Sequence, residues 1–124
     1  MDYERFLSLV VAADGGRDAE AAERSTRATL ETLADRLPVG EARDLVEELS
    51  PELGPWLFTS SPAEELDVHD FVGRIAEREE VDLATAARHA RAVFIALSQA
   101  LDADEFAAMV SQLSSDFVII LPER

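Results

Sequence analysis

The residues of this chain recur at a fixed distance. Asp2, Phe6 and Val10 return as Asp67, Phe71 and Ile75 at an offset of 65. Asp18, Ala22, Arg24, Arg27, Ala28, Leu33, Leu37, Glu41, Val46, Leu49, Ser50 and Leu57 return as Asp82, Ala86, Arg88, Arg91, Ala92, Leu97, Leu101, Glu105, Val110, Leu113, Ser114 and Leu121 at an offset of 64. The register changes by one residue within Asp14-Gly15-Gly16-Arg17, so one loop insertion accounts for the difference. Repetition at this period means two copies of one supersecondary unit that bury their apolar faces on each other. With helical spacing throughout, it predicts a single all-α domain over residues 1–124, its copies related by a pseudo-twofold. Repeat one covers about 1–58, a Ser- and Pro-rich linker about 59–66, and repeat two about 67–124.

A chain of 124 residues supports one hydrophobic core and hardly two. It carries 26 acidic and 11 basic residues, every basic one an arginine, for a net charge of -15. No window supplies the basic stripe that counterion release on a polynucleotide requires, so nucleic-acid binding is not expected. An acid-rich surface without lysine suits a cytoplasm holding molar salt, where the Debye length falls to about 3 Å. Coding bias in a GC-rich genome gives the same composition, and both explanations stand. There is no cysteine, hence no disulfide and no thiolate metal site. The N-terminus lacks the basic start and apolar stretch of a signal peptide, and the longest apolar run, Ala92 to Leu97, is too short for a bilayer. The expectation is a soluble cytoplasmic protein with no membrane contact and no cofactor.

Apolar periodicity predicts three helices and a short fourth element in each copy. The first helices run over about 3–13 and from about 68, with Phe6, Leu7 and Val10, then Phe71, Val72 and Ile75, facing inward. The second open after Asp18 and Asp82; the Leu83 to Leu101 helix, apolar without a gap from Val93 to Leu97, is expected to be the most buried. The third run over 38–49 and 102–113, the latter opened by a capping box of Asp102 and Glu105. Ser50-Pro51 reads as a cap followed by proline at the first helical position. Each copy closes on a short apolar element, 53–58 and 117–121, the second expected as a short helix or an extended tail.

His69 and His89 lack carboxylates at helical ligand spacing and are expected to face solvent, with no metal site. Asp14-Gly15-Gly16-Arg17-Asp18 lacks the ligand pattern of a calcium loop and the terminal Lys-Ser/Thr of a phosphate loop, so it reads as a turn with Asp18 as the next cap. No serine lies in a nucleophile motif. Arg24 and Arg27 can pair with Glu20, Glu23 and Glu31 on their own helix. Arg88 and Arg91 have no such neighbour, so their partners must be tertiary. These four arginines form either a salt-bridge cluster or an anion site near the pseudo-twofold. Trp56, Phe58, Ile119 and Ile120 are the candidate interaction patch, with Trp56 and Phe58 as core lids the alternative.

The pattern Ala22-x-Arg24-x-x-Arg27-Ala28-x-Leu30-x-x-Leu33-x-x-x-Leu37, then Gly40-Glu41-Ala42-x-Asp44-Leu45 and Leu49-Ser50-Pro51-Glu52-Leu53, resembles the prokaryotic family catalogued as domain of unknown function 2267. The likeness spans essentially the whole chain, and Phe71, Arg91-Ala92-Val93-Phe94 and Glu105 repeat it. It implies a compact all-helical fold of two related halves and brings no catalytic or binding residues. The second copy departs from it at Ser115, where the first has Pro51, and in its apolar end.

With no convergent reactive set, the sequence favours a non-enzymatic interaction or stress-associated module, with an unknown protein partner or a homodimer. One alternative is a module for a small apolar or anionic ligand held between the repeats, in a pocket lined by Leu33, Phe94 and Leu97. The other is an enzyme using paired carboxylates across a cleft.

Overall fold

The computed structural model describes residues 1–16, 18–59 and 62–122. Arg17 of the inserted loop, residues 60 and 61 of the linker and the last two residues of the second repeat lie outside the described residues. The described chain is entirely helical: α1 (Tyr3–Ala13), α2 (Ala19–Arg36), α3 (Val39–Glu48), a 3-10 turn (Pro51–Leu53) running into α4 (Gly54–Leu57), then α5 (Val68–Glu79), α6 (Leu83–Ala100), α7 (Ala103–Ser111) and a second 3-10 turn (Ser115–Ile119).

Aspartate starts most of these helices. Asp2, Asp18, Asp67, Asp82 and Asp102 each accept a hydrogen bond from the backbone N–H three residues on, at 2.7–2.8 Å. Each such cap contributes about 1 kcal/mol and sits where the helix dipole favours negative charge. The box expected at Asp102 is only half built, because the Asp102 N–H donates to Glu48 Oε1 at 2.9 Å and not to Glu105. Termination differs between helices. After α1, Gly15 and Gly16 take positive φ, and the Gly16 N–H reaches back to the Val11 carbonyl at 2.8 Å. After α5 the left-handed position falls to a non-glycine residue, Glu80, at φ 59°.

Two long helices hold the centre. α6 packs on α1, α5 and α2, while α2 packs on α1, α5, α6 and α4. The expectation that α6 is the most buried helix is corrected: eight of its residues are buried, against ten on α2. The α2 excess comes from Ser25, Thr26, Thr29 and Thr32, all buried. Ser25 and Thr32 tolerate this because their hydroxyls donate to the carbonyls of Ala21 and Ala28, one turn back, at 3.0 and 2.7 Å. Within the apolar run of α6, Ile95 remains half-exposed.

Phe71 of α5 joins the second half of the core. Its ring lies 6.0 Å from Phe94 and 5.0 Å, edge-on, from Phe117. All three rings are buried, and full burial of one such side chain stabilises by roughly 2 kcal/mol or more. The C-terminal element is neither strand nor extended tail. Its i to i+3 bonds, Phe117 N–H to Ser114 and Ile120 N–H to Phe117, put residues 117 and 120 on one side of a three-residue turn.

Arginines then tie the outer elements down. Asp35 of α2 receives Arg74 at 3.2 Å and Arg78 at 2.9 Å from α5, and Arg74 also holds Glu64 at 2.7 Å. The Glu64 N–H donates to the Asp35 carbonyl at 2.8 Å, so this end of the linker is fastened to α2. Arg36 donates to the Gln112 carbonyl and Arg91 to the Leu121 carbonyl, clamping the C-terminal segment.

Candidate functional site

Extended Leu49 and Ser50 and the 3-10 turn after them bring α4 beside α3, leaving an open cleft between the two helices. It measures 510 Å³ and is lined by Val39, Ala42, Arg43 and Val46 from α3 and by Gly54, Pro55, Leu57, Phe58 and Thr59. Apart from Arg43 its charged lining is nil, and two of its walls are exposed apolar side chains, Val39 at 41% and Phe58 at 79%. A cleft of 290 Å³ lies against α7, lined by Ala103, Phe106, Ala107, Val110, Leu121 and Pro122. A third, of 620 Å³, is bounded by one face of α1 and by Ala19, so it is a shallow helix surface more than an enclosure.

The predicted patch residues divide. Phe58 is exposed and lines the first cleft, and Ile119 is 67% exposed. Trp56 is half-buried, with its ring 6.3 Å from that of Tyr3. Ile120 is not part of an exposed patch: it is 2% exposed, because the 3-10 turn carries it inward with Phe117. Val118, at 69% exposure, takes the outward place the sequence reading gave to Ile120. Leu33, Phe94 and Leu97, expected to line a pocket between the halves, are fully buried core side chains and line none of these three clefts.

No two of the four duplicated arginines share a partner in the contacts described. Arg27 pairs with Glu31 on its own helix at 3.2 Å, and Arg88 approaches Asp14 at 3.9 Å. Arg91 takes a backbone carbonyl, as above. Arg24 is exposed and makes no ion pair among the described residues. The short cross-element ion pairs fall instead to Arg74 and Arg78.

His89 corrects the expectation of two solvent-facing histidines. Its side chain is 1% exposed, with Nδ1 2.7 Å from Glu79 Oε1 and Nε2 3.7 Å from Asp14 Oδ2. The Ser25 hydroxyl lies 3.2 Å from the same Glu79 oxygen, so its one proton is shared between that carboxyl and the Ala21 carbonyl. Four elements thus meet at one buried polar knot: the end of α1, α2, the end of α5, and α6. The signal was present, since His89 falls on the stripe Ala86, Ala90, Val93 that faces the core.

A second polar cluster also escaped the sequence reading. Glu41 of α3, its neighbour Asp44 and Glu105 of α7 each place a carboxylate oxygen within 4.8 Å of the others. Burial, then the charge of Asp44, raises the Glu41 carboxyl above the ordinary range, and a hydrogen bond with Glu105 offsets part of that rise. Burial, then Glu41, Asp44, Glu48 and Asp102, raises Glu105. Oε1 of Glu41 and Oε1 of Glu105 are both shielded from solvent and have no hydrogen-bond donor among the described residues. The trio lines none of the three clefts.

The described residues form an all-helical fold with an apolar surface cleft and two polar knots. The model of the family described as uncharacterized conserved protein, domain of unknown function 2267, matches residues 3–119, and the chain belongs to that family. No curated protein matches the chain. No helix among the described residues is long and apolar enough to cross a membrane.

Proposed function

We propose that this chain is a non-enzymatic binding module that works through the cleft between α3 and α4. In this reading the domain is built from two tandem copies of one unit about a pseudo-twofold, and the roomier cleft of the first copy, 510 Å³ against 290 Å³, is the one that takes a partner. The supporting observation is Phe58, a large aromatic held 79% exposed on the rim of an apolar cleft of 510 Å³. That volume lies within the roughly 300–1,000 Å³ usual for ligand sites. The interaction patch and the ligand pocket anticipated from sequence thereby become one place, inside the first copy and not between copies. In this reading the acidic, cysteine-free chain works in the cytoplasm without a cofactor, and its carboxylates serve as helix caps, ion-pair partners, buried polar clusters and surface charge.

A photo-crosslinker placed at position 58 in the native host tests this directly. A discrete mass addition is expected, lost when Ala42→Phe fills the cleft. No adduct, or the same adducts from a crosslinker at exposed position 99, refutes the assignment.

A further inference from the structure

The first and second clefts are lined by equivalent positions of the sequence repeat. Every described residue lining the second has its counterpart 64 positions earlier lining the first. Val46 matches Val110 and Leu57 matches Leu121, so the shared walls are apolar in both. Two neighbouring positions differ in kind. Where the second cleft has Phe106, 6% exposed and packed against the core, the first has Ala42. Where the second has Ala107, the first has Arg43. The volumes follow the side chains, 290 Å³ beside the ring and 510 Å³ beside the methyl group. The second copy therefore shows what fills this kind of cleft, and the first copy has given up the ring and gained a cation beside the space.

We propose that the first cleft binds a small carboxylate bearing an aromatic or bulky apolar tail, with the tail in the place that Phe106 takes in the second cleft and the carboxylate on the Arg43 guanidinium. This rests on the reading of the cleft as the working site, and adds to it the chemistry of the occupant. Among the described residues Arg43 is the one charged side chain in the lining, which selects an anion over a cation. It is exposed and makes no ion pair among the described residues, so its planar fork is available to a carboxylate. The net charge of -15 opposes an anion only weakly, since charges beyond about 8 Å are largely screened at physiological salt. A small molecule is favoured over a protein because Val39 and Phe58 are the large exposed apolar side chains in the lining, far short of the roughly 800 Å² per partner of a stable protein interface.

The test uses the full chain, uniformly labelled with nitrogen-15, and two probes of one shape: 3-phenylpropionate and its neutral analogue 3-phenylpropanol. Phenylpropionate should shift the amides of residues 39–46 and 54–59, with a dissociation constant on the order of 1 mM, as its size allows. The alcohol and the Arg43→Ala variant should each bind about tenfold more weakly. Ala42→Phe should abolish the shifts, and Arg43→Ala, an exposed change, keeps the test decisive if that variant does not fold. Equal binding of acid and alcohol at the cleft overturns the carboxylate assignment while leaving the cleft as a binding site. Shifts spread away from the cleft, or none from either probe, overturn the proposal, and only a failed crosslink at position 58 removes the site itself.

Discussion

Replacing His89 by leucine should destabilise this protein more than any exposed substitution, and the geometry of its pocket sets the size. The imidazole and the Glu79 carboxyl are 1% and 4% exposed and 2.7 Å apart. Beyond His89, that oxygen has only a share of the Ser25 hydroxyl proton, which also faces the Ala21 carbonyl, and Oε2 has no donor among the described residues. His89→Leu takes away the imidazole that stands 2.7 Å from Glu79 Oε1 and leaves a buried carboxyl that water cannot reach. Breaking a buried pair from one side costs about 3–5 kcal/mol, a large share of the roughly 5–15 kcal/mol that hold a domain of this size together. Removing both partners should hurt less, because well-packed apolar replacements of a buried pair are often neutral. Urea unfolding at neutral pH, followed by helical circular dichroism and by the fluorescence of the single tryptophan, measures both variants. The expected results are a loss of about 3 kcal/mol or more for His89→Leu and recovery of about 2 kcal/mol in His89→Leu/Glu79→Leu. A single-variant loss below about 1 kcal/mol, or a double variant less stable than the single, would refute the claim that this pair is an interdependent unit.

Three other outcomes are expected. Glu80→Gly should raise stability by about 0.5–1 kcal/mol in the same urea assay, because φ 59° strains any residue with a Cβ. Glu105→Gln should stabilise by about 0.5 kcal/mol at neutral pH. In the parent protein Glu41 and Glu105 keep their protons in the fold to higher pH than in the unfolded chain. Their stabilising share is therefore complete below the ordinary carboxylate pKa of 4.5 and lost as pH rises through the folded values. Glu64, Asp82 and Asp116, all lowered, act in the opposite sense at more acidic pH, so the comparison belongs above pH 4.5. The melting temperature should climb steadily between low and molar KCl as the charge of -15 is screened, and a flat response would remove the adaptation to high salt.

The helices were legible because their starts and faces are local. Aspartates at 18, 67, 82 and 102 announce caps, and Phe6, Phe71 and Phe94 fall on stripes of helical period. Features made by tertiary packing were harder to read. The surroundings of His89 are not legible locally, because Glu79 and Asp14 arrive from the ends of α5 and α1 and not from its own helix. The inward place of Ile120 follows from the three-residue period of a 3-10 turn, and short apolar runs do not announce their period. Ser25 and Thr29 look like surface residues until the crowding of α2 is seen. The cleft is defined by a side chain that is too small, and Ala42 becomes informative only beside Phe106. The repeat had already aligned those two positions, so the signal was available.

Each half of the molecule lends its opening helix to the other. α1 packs more extensively on α6 than on its own neighbour α2, while α5 lies across both long helices. A polypeptide severed near residue 60 would leave two pieces that each lack a wall, so neither should be native alone and both should reassemble when mixed. The same interleaving means that heat or denaturant has no lobe to detach first, and α2 and α6 should surrender their slowest amide protons together.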